Sequence, residues 1–249
     1  MRNNVAIIFL LLILAIPAVA AEPAANVAPV PVVIELFTSE GCSSCPPADA
    51  LLMSLDRNSV PGAEIIALGE HVDYWDGLGW KDRFSSAEYT RRQESYAAQF
   101  RIDSPYTPQM VINGRTEFVG NDSSRAARVI QDAVRTHPTL PSLLIRPHGE
   151  AVDIAIENAG SHRLDVILAV TESDLSTQVG RGENHGRLLR HTAVVRELRK
   201  IGKISSGQFT ARQQLTLKPD WRRENLRAVV FLQDPSTLEI TAAAQTALK

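Results

Sequence analysis

Apolar residues recur along this chain at more than one spacing, and each spacing predicts a different element. Residues 30–38 (Val-Pro-Val-Val-Ile-Glu-Leu-Phe-Thr) form a short β-branched run, read as a buried strand. Ser39-Glu40-Gly41 reads as a turn. A helix follows to about Arg57, with Ala48, Leu51, Leu52 and Leu55 at the i, i+3, i+4, i+7 spacing of one helical face. Pro46 and Pro47 fall in its first turn, where a missing N–H costs little. Pro61-Gly62 turns the chain into a second strand at 63–68, and 69–82 reads as a long aromatic loop. Residues 85–100 form the next helix, opened by a capping box of Ser85 and Glu88. Strands at 109–113 and 116–119 flank Asn113-Gly114, a strong hairpin signal. A third helix, 121–136, is capped by Asn121 or Asp122.

The order strand-helix-strand-helix-strand-strand-helix predicts an α/β domain over 30–138, with helices on both faces of one sheet. Residues 139–142 (Thr-Leu-Pro-Ser) read as a linker. Beyond them the pattern changes to short alternating runs at 143–146, 152–157, 164–171, 192–199, 209–217, 226–232 and 238–244. Strands so spaced, with little helical period, predict an all-β, sandwich-like domain over 143–249.

The N-terminus changes the picture of where the protein works. Arg2, a short apolar stretch at 5–16 and the small residues Ala18 and Ala20 read as a signal peptide over 1–20. The apolar stretch is short of a membrane span, which takes roughly 20 residues. Residues 21–29, rich in Ala and Pro, read as a disordered lead-in. The expectation is an exported protein: periplasmic in a Gram-negative source, secreted otherwise, with no stable membrane insertion after cleavage. The formal net charge of −2 and scattered Lys and Arg argue against nucleic acid as a partner.

Cys42 and Cys45 are the only cysteines. Exported compartments favour disulfides. A bridge closing so small a loop is a weak staple, because loop-closure stabilisation grows with loop length. Chemistry explains the pair better. At the junction of first strand and first helix, the free N–H groups and the helix dipole favour a thiolate on Cys42. Cys42 is therefore the expected nucleophile, and Cys45, one turn on and more buried, the resolving thiol. Glu40 and Asp49 work against thiolate formation, so Cys42 is expected to be less acidic than a strongly oxidising thiol. Thr107-Pro108 precedes a strand that packs beside the first one. A cis bond there brings the Thr107 backbone beside the cysteines.

Gly-Cys-x-x-Cys-Pro at a helix start, with Thr-Pro before a strand-turn-strand, resembles the thioredoxin fold. The approach 35–41 (Glu-Leu-Phe-Thr-Ser-Glu-Gly) resembles that of glutaredoxins. More closely, residues 35–45, His71-Val72-Asp73-Tyr74-Trp75 with Leu78-Gly79-Trp80-Lys81, and Thr107-Pro108-Gln109 with Ile112-Asn113-Gly114 resemble the secreted bacterial thioredoxin-like proteins of unknown function. The resemblance covers most of the mature chain, including 184–196. It implies the fold, export, and the roles of Cys42, Cys45 and cis-Pro108. Thioredoxins carry a buried acid six residues before the first cysteine. Leu36 stands there in this chain, and Glu35 falls on the opposite strand face.

The expected activity is thiol–disulfide exchange on protein or small-molecule disulfides, with a redox partner and no bound cofactor beyond the Cys42–Cys45 pair. Copper binding through the same thiols, with His71, and a non-catalytic thioredoxin-fold binding module are the alternatives. No dedicated metal site is expected. His71, Asp73, Tyr74, Trp75 and Trp80 are candidates for a wall of the substrate groove, against packing of the tryptophans between the domains. Asn184, His185, Arg187, His191 and Arg196 read as loop and sheet-surface residues, in preference to reaching the cysteine face.

Overall fold

A computed structural model describes residues 28–136, 141–160, 162–205 and 207–248. The expected signal peptide over 1–20, most of the expected lead-in and part of the expected linker lie outside the described residues. In chain order the elements are β1 (Val30–Thr38), α1 (Pro46–Arg57), β2 (Ala63–His71), α2 (Ala87–Phe100), β3 (Gln109–Ile112), β4 (Thr116–Val119), α3 (Ser123–Thr136), β5 (Ser142–His148), β6 (Ala151–Glu157), β7 (Leu164–Glu172), β8 (Leu175–Gln178), β9 (Leu188–His191), β10 (Val194–Ile204), β11 (Gln208–Gln214), β12 (Leu226–Gln233) and β13 (Ile240–Ala247). The fold is mixed α/β with a large central sheet, few helices and two smaller sheets.

The central sheet has eight strands in the order β13-β12-β7-β10-β2-β1-β3-β4. β1 is parallel to β2 and antiparallel to β3. Its near-continuous apolar run is explained by burial on both faces. Val32, Ile34 and Leu36 join Ala48 and Leu52 of α1 and Ala126 and Ile130 of α3 in one core. On the other face Val33 meets Ile66, Leu68 and Tyr89, while Phe37 meets Tyr96 of α2.

The two halves of the chain share this sheet, whereas the sequence pattern reads as separate domains. β10 runs parallel to β2, with Val194 opposite Gly69. Gly69 N–H donates to Ala193 O at 2.8 Å. A Cβ at Gly69 would lie 3.2 Å from Thr192 O, so the residue's smallness permits this approach. The sandwich layering exists, but one of its layers continues the central sheet. The three-stranded sheet β11-β6-β5 is the second layer. Its Ile145, Val152, Ile154 and Ile156 pack on Val166, Leu168, Val170, Ala228, Val230 and Leu232. Alternation along a strand reports which face is buried but not which edge the strand joins.

Several boundaries differ from the pattern reading. β2 runs on to His71, because residues 69–71 pair with β1, and Gly69 also with β10. The cap of α2 is Ser86, whose hydroxyl accepts from Glu88 N. Ser85 instead donates to Asp76 Oδ2 at 2.8 Å, so the Ser85–Glu88 capping box does not form. The hairpin β8–β9 does not stand out in the sequence pattern, since Leu-Ser-Thr-Gln carries little apolar signal.

The β3–β4 turn places Asn113 and Gly114 at φ 50° and 64°. A Cβ on Gly114 would lie 2.0 Å from Leu238 O, in the β12–β13 turn. Gly114→Ala should therefore lower stability by about 2 kcal/mol or more. Gly77→Ala, with nothing within 4 Å of the added carbon, should be near neutral. Urea unfolding of both variants measures this, and equal midpoints would show that the turn is not held against Leu238.

Candidate functional site

Between β1 and α1 the chain makes two tight turns. Cys42 N donates to Ser39 O at 3.2 Å and Cys45 N to Cys42 O at 3.3 Å. Cys42 and Cys45 form a disulfide with Cα atoms 5.5 Å apart. Cys45, not Cys42, is the N-cap of α1, because Pro46 and Pro47 take the first helical positions. Both cysteines have 0% exposure, so the expected difference in burial between them is absent. Cys42 Sγ lies 3.3 Å from Ser44 Oγ.

The Thr107–Pro108 bond is cis, and Pro108 is buried. Ser44 Oγ donates to Thr107 O at 3.4 Å, which puts the Thr107 backbone beside the cysteine loop. Trp75 Nε1 donates to Thr107 Oγ1 at 2.9 Å. Trp75 also abuts Gly41, where a Cβ would meet Trp75 Cβ at 3.2 Å. Behind Pro108, a Cβ on Gly120 would stand 2.7 Å from Leu36 Cδ1 and 3.1 Å from Pro108 Cβ. Glycine is thus what lets β4 close against the proline.

The other groove candidates separate. Tyr74 is 40% exposed and its hydroxyl donates to Gln93 Oε1 at 3.1 Å. Asp73 accepts from Thr90 Oγ1 at 2.6 Å and ties the loop to α2. Trp80 Nε1 donates to Glu40 Oε2 at 2.9 Å; its ring lies against Gly180, and its Cβ and backbone nitrogen against Gly182, both of the second half of the chain. Trp80 therefore belongs to the contact between the two halves, and Trp75 to the cysteine loop. His71 is buried, with Nδ1 2.6 Å from Asp82 Oδ2.

A buried polar group lies behind the cysteine loop. Asp82 accepts from the backbone N–H of Glu40 at 2.8 Å and of Phe84 at 2.9 Å. Burial works to raise its carboxyl, but His71 and these hydrogen bonds outweigh it and hold Asp82 below the usual range. His191 stands edge-on to His71, with ring centroids 4.8 Å apart and Nε2 3.3 Å from Glu40 Oε1. Asp49, one turn into α1, is pushed up to about 7, chiefly by burial, with His191 opposing. Among the described residues no three His, Cys, Asp or Glu side chains are grouped to hold a metal ion.

The opposite sheet face carries a second buried acidic cluster. Arg92 Nε donates to Glu35 Oε1 at 2.5 Å, and Tyr96 hydroxyl to Glu35 Oε2 at 2.5 Å. Glu70, beside them, is raised well above the usual carboxylate range by burial and by the Glu35 charge. Glu35 is thus on the α2 side of the sheet and Leu36 on the α1 side, as strand alternation requires.

The reading of 184–196 as loop and surface chemistry fails at two residues. Asn184 is fully buried, and its Nδ2 donates to Glu40 O and Cys42 O, each at 2.9 Å. His191 joins the buried group. Glu183 Oε2 also accepts from Ser43 N–H at 3.0 Å. For Asn184 the alternative of reaching the cysteine face is the one that holds; Glu183 and Asp82 carry no such mark in the sequence pattern. The glycines at 180, 182 and 186 were the available signal, since clustered glycine marks close backbone approach.

A crystal structure of protein AGR_C_4864 from Agrobacterium tumefaciens is similar over 89% of this chain and 96% of its own, at TM-score 0.74 and 27% identity. HBP35 of Porphyromonas gingivalis is similar over 88% of this chain and 76% of its own, at TM-score 0.61 and 15% identity, a likeness of fold alone. Among curated proteins none matches this chain. The family of proteins of unknown function DUF1223 matches residues 33–233, most of the cysteine-bearing half and of the half that covers it, and the chain belongs to that family.

Proposed function

We propose that this protein is an exported thiol–disulfide oxidoreductase that acts through Cys42–Cys45 on disulfides or thiols of proteins or small molecules. One observation carries the reading: the disulfide lies at the N-terminus of α1, with the Thr107 backbone alongside it. The element order β1-α1-β2-α2-β3-β4-α3, with strands ordered β2-β1-β3-β4, supports a thioredoxin-like unit. A disulfide is consistent with an oxidising compartment. No described helix is long and apolar enough to cross a membrane.

In the oxidising direction a substrate thiolate attacks Cys42 Sγ. The S–S electron pair leaves on Cys45 Sγ, giving a mixed disulfide and a Cys45 thiolate. A second substrate thiolate then attacks the substrate sulfur of the mixed disulfide. It releases a substrate disulfide and leaves Cys42 reduced. The reverse sequence reduces a substrate disulfide, and a redox partner regenerates the starting form. The helix dipole favours thiolate at this position, whereas the Glu40 and Glu183 carboxylates disfavour it. Asp49 modulates the leaving group. Protonated, it is neutral beside α1; ionised, it opposes charge on Cys45.

Three outcomes follow from this chemistry. Equilibration with glutathione buffers and thiol trapping should give a reduction potential below about −200 mV, since the thiolate is not strongly favoured. A pair that never closes reversibly sinks the redox reading. Cys45→Ser should accumulate a mixed disulfide with glutathione, detectable by mass, and Cys42→Ser should not; the reverse pattern would exchange the roles of the two sulfurs.

Asp49 has a folded-state pKa of about 7, above the ordinary value of 3.8. The folded protein thus holds a proton that the unfolded chain has released, and Asp49 destabilises the fold increasingly as pH rises from about 4 to about 7. Asp49→Asn removes that contribution. Its stability margin over the wild type, from urea unfolding, should be wider at pH 8 than at pH 5 by roughly 2 kcal/mol. An equal margin at both pH values would assign the titration elsewhere.

A further inference from the structure

The cysteine loop at Glu40, Cys42 and Ser43 is bonded to a segment from the far half of the chain. Residues 179–187 join β8 to β9 and include Gly180, Gly182 and Gly186, the last two at φ 76° and 79°. Seven of the nine residues are exposed; only Val179 and Asn184 are buried. The segment is held over the cysteine loop by polar contacts. Asn184 Nδ2 donates to the carbonyls of Glu40 and Cys42, and Glu183 accepts from Ser43 N–H. Arg187 Nη1 donates to Asn184 Oδ1 at 3.1 Å and so orients the amide. Gly180 lies against the Trp80 ring and Gly182 against the Trp80 Cβ and backbone nitrogen, neither inserting a side chain.

We propose that Asn184 is a specificity-determining residue for exchange at the disulfide: it pins residues 179–187 across Cys42, and only reactants that fit beneath or displace this segment reach the sulfur. The inference rests on the redox reading above. Attack on Cys42 requires a thiolate in line with the S–S bond, and neither sulfur-bearing residue presents surface to solvent. Exposed, glycine-rich and almost free of buried apolar groups, the segment is of the kind that opens at low cost. The hydrogen bonds it gives up on opening are replaced by water. A compact dithiol needs a smaller opening than a tripeptide thiol, so the segment discriminates by size.

With glutathione the step is balanced. One glutathione thiolate attacks Cys42 Sγ, and the bond pair leaves on Cys45, which takes up a proton. A second thiolate attacks the glutathione sulfur of the mixed disulfide. Glutathione disulfide departs, and Cys42 is protonated. Two thiols are oxidised and one disulfide is reduced.

The test uses the full chain, oxidised, as wild type, Asn184→Ala and Arg187→Ala. Rates of Cys42–Cys45 reduction by dithiothreitol and by glutathione are measured by maleimide trapping, and urea midpoints establish that each protein is folded. The ratio of the dithiothreitol rate to the glutathione rate should fall at least tenfold in Asn184→Ala and by a smaller factor in Arg187→Ala. Ratios unchanged in the folded variants overturn the proposal. If Asn184→Ala does not fold, the ratio in Arg187→Ala decides alone. The two readings fail separately: a reduced pair that does not re-form its disulfide in glutathione buffer removes the redox function, while an unchanged ratio removes only the selective cover.

Discussion

The contact of β10 with β2 at Gly69 is the constraint on which the site depends. A single parallel register position and one hydrogen bond from Gly69 to Ala193 join the two halves of the central sheet. From there the chain geometry follows. β9 ends at His191, just before the seam, and His191 enters the buried group behind the cysteine loop. The β8–β9 connection extends from the same place and carries Asn184 onto the carbonyls of Glu40 and Cys42. Asp56 of α1 fastens the arrangement from below, accepting from Thr192 Oγ1 at 2.6 Å and from Arg227 at 2.7 Å.

Two buried ionisable clusters lie on opposite faces of β1 and do different work. On the α2 face, Glu35, Arg92 and Tyr96 are bonded to one another, and Gln233 of β12 donates to the Tyr96 hydroxyl at 3.0 Å. That cluster ties α2 to both halves of the chain. On the α1 face, Glu40, Asp49, His71, Asp82 and His191 surround the base of the cysteine loop, and they are less completely paired. Among the described residues neither ring nitrogen of His191 makes a hydrogen bond, and Glu40 Oε1, though 3.3 Å from Nε2, is not aligned for one. Incompletely satisfied buried groups are costly, and such groups cluster where charge has to change; the proposed exchange at the disulfide would be such a place.

Much of this was legible in local pattern. The span of β1, the end of α1, the Asn113-Gly114 turn and the junction of the cysteines with a helix start all follow from residue types within a few positions of one another. What was not legible is long-range. Glycine at 69 carries no mark of the strand that will lie against it. The polar residues at 183, 184 and 191 look like ordinary surface until a fold places them against a site about 140 positions away. The charges that act on Asp49, His191 and Asp82 among them, come from other segments and leave no trace in the helix pattern. The extent of β2 was misjudged for the same reason: a strand is prolonged by its neighbours as well as by its own composition.

The shared sheet has a consequence for the idea of a minimal unit. In the first half alone, β2 would be an edge strand, and Gly69 would lose its β10 partner. An unprotected edge of this sort is a template for intermolecular strand pairing. The same cut would open Glu35, Glu70 and Arg92, now screened in part by β12, to solvent on one side. The cysteine-bearing half is therefore not an autonomous module to which a second domain has been appended. The second half serves as its missing wall, and the surroundings of the disulfide are assembled from both halves of the chain.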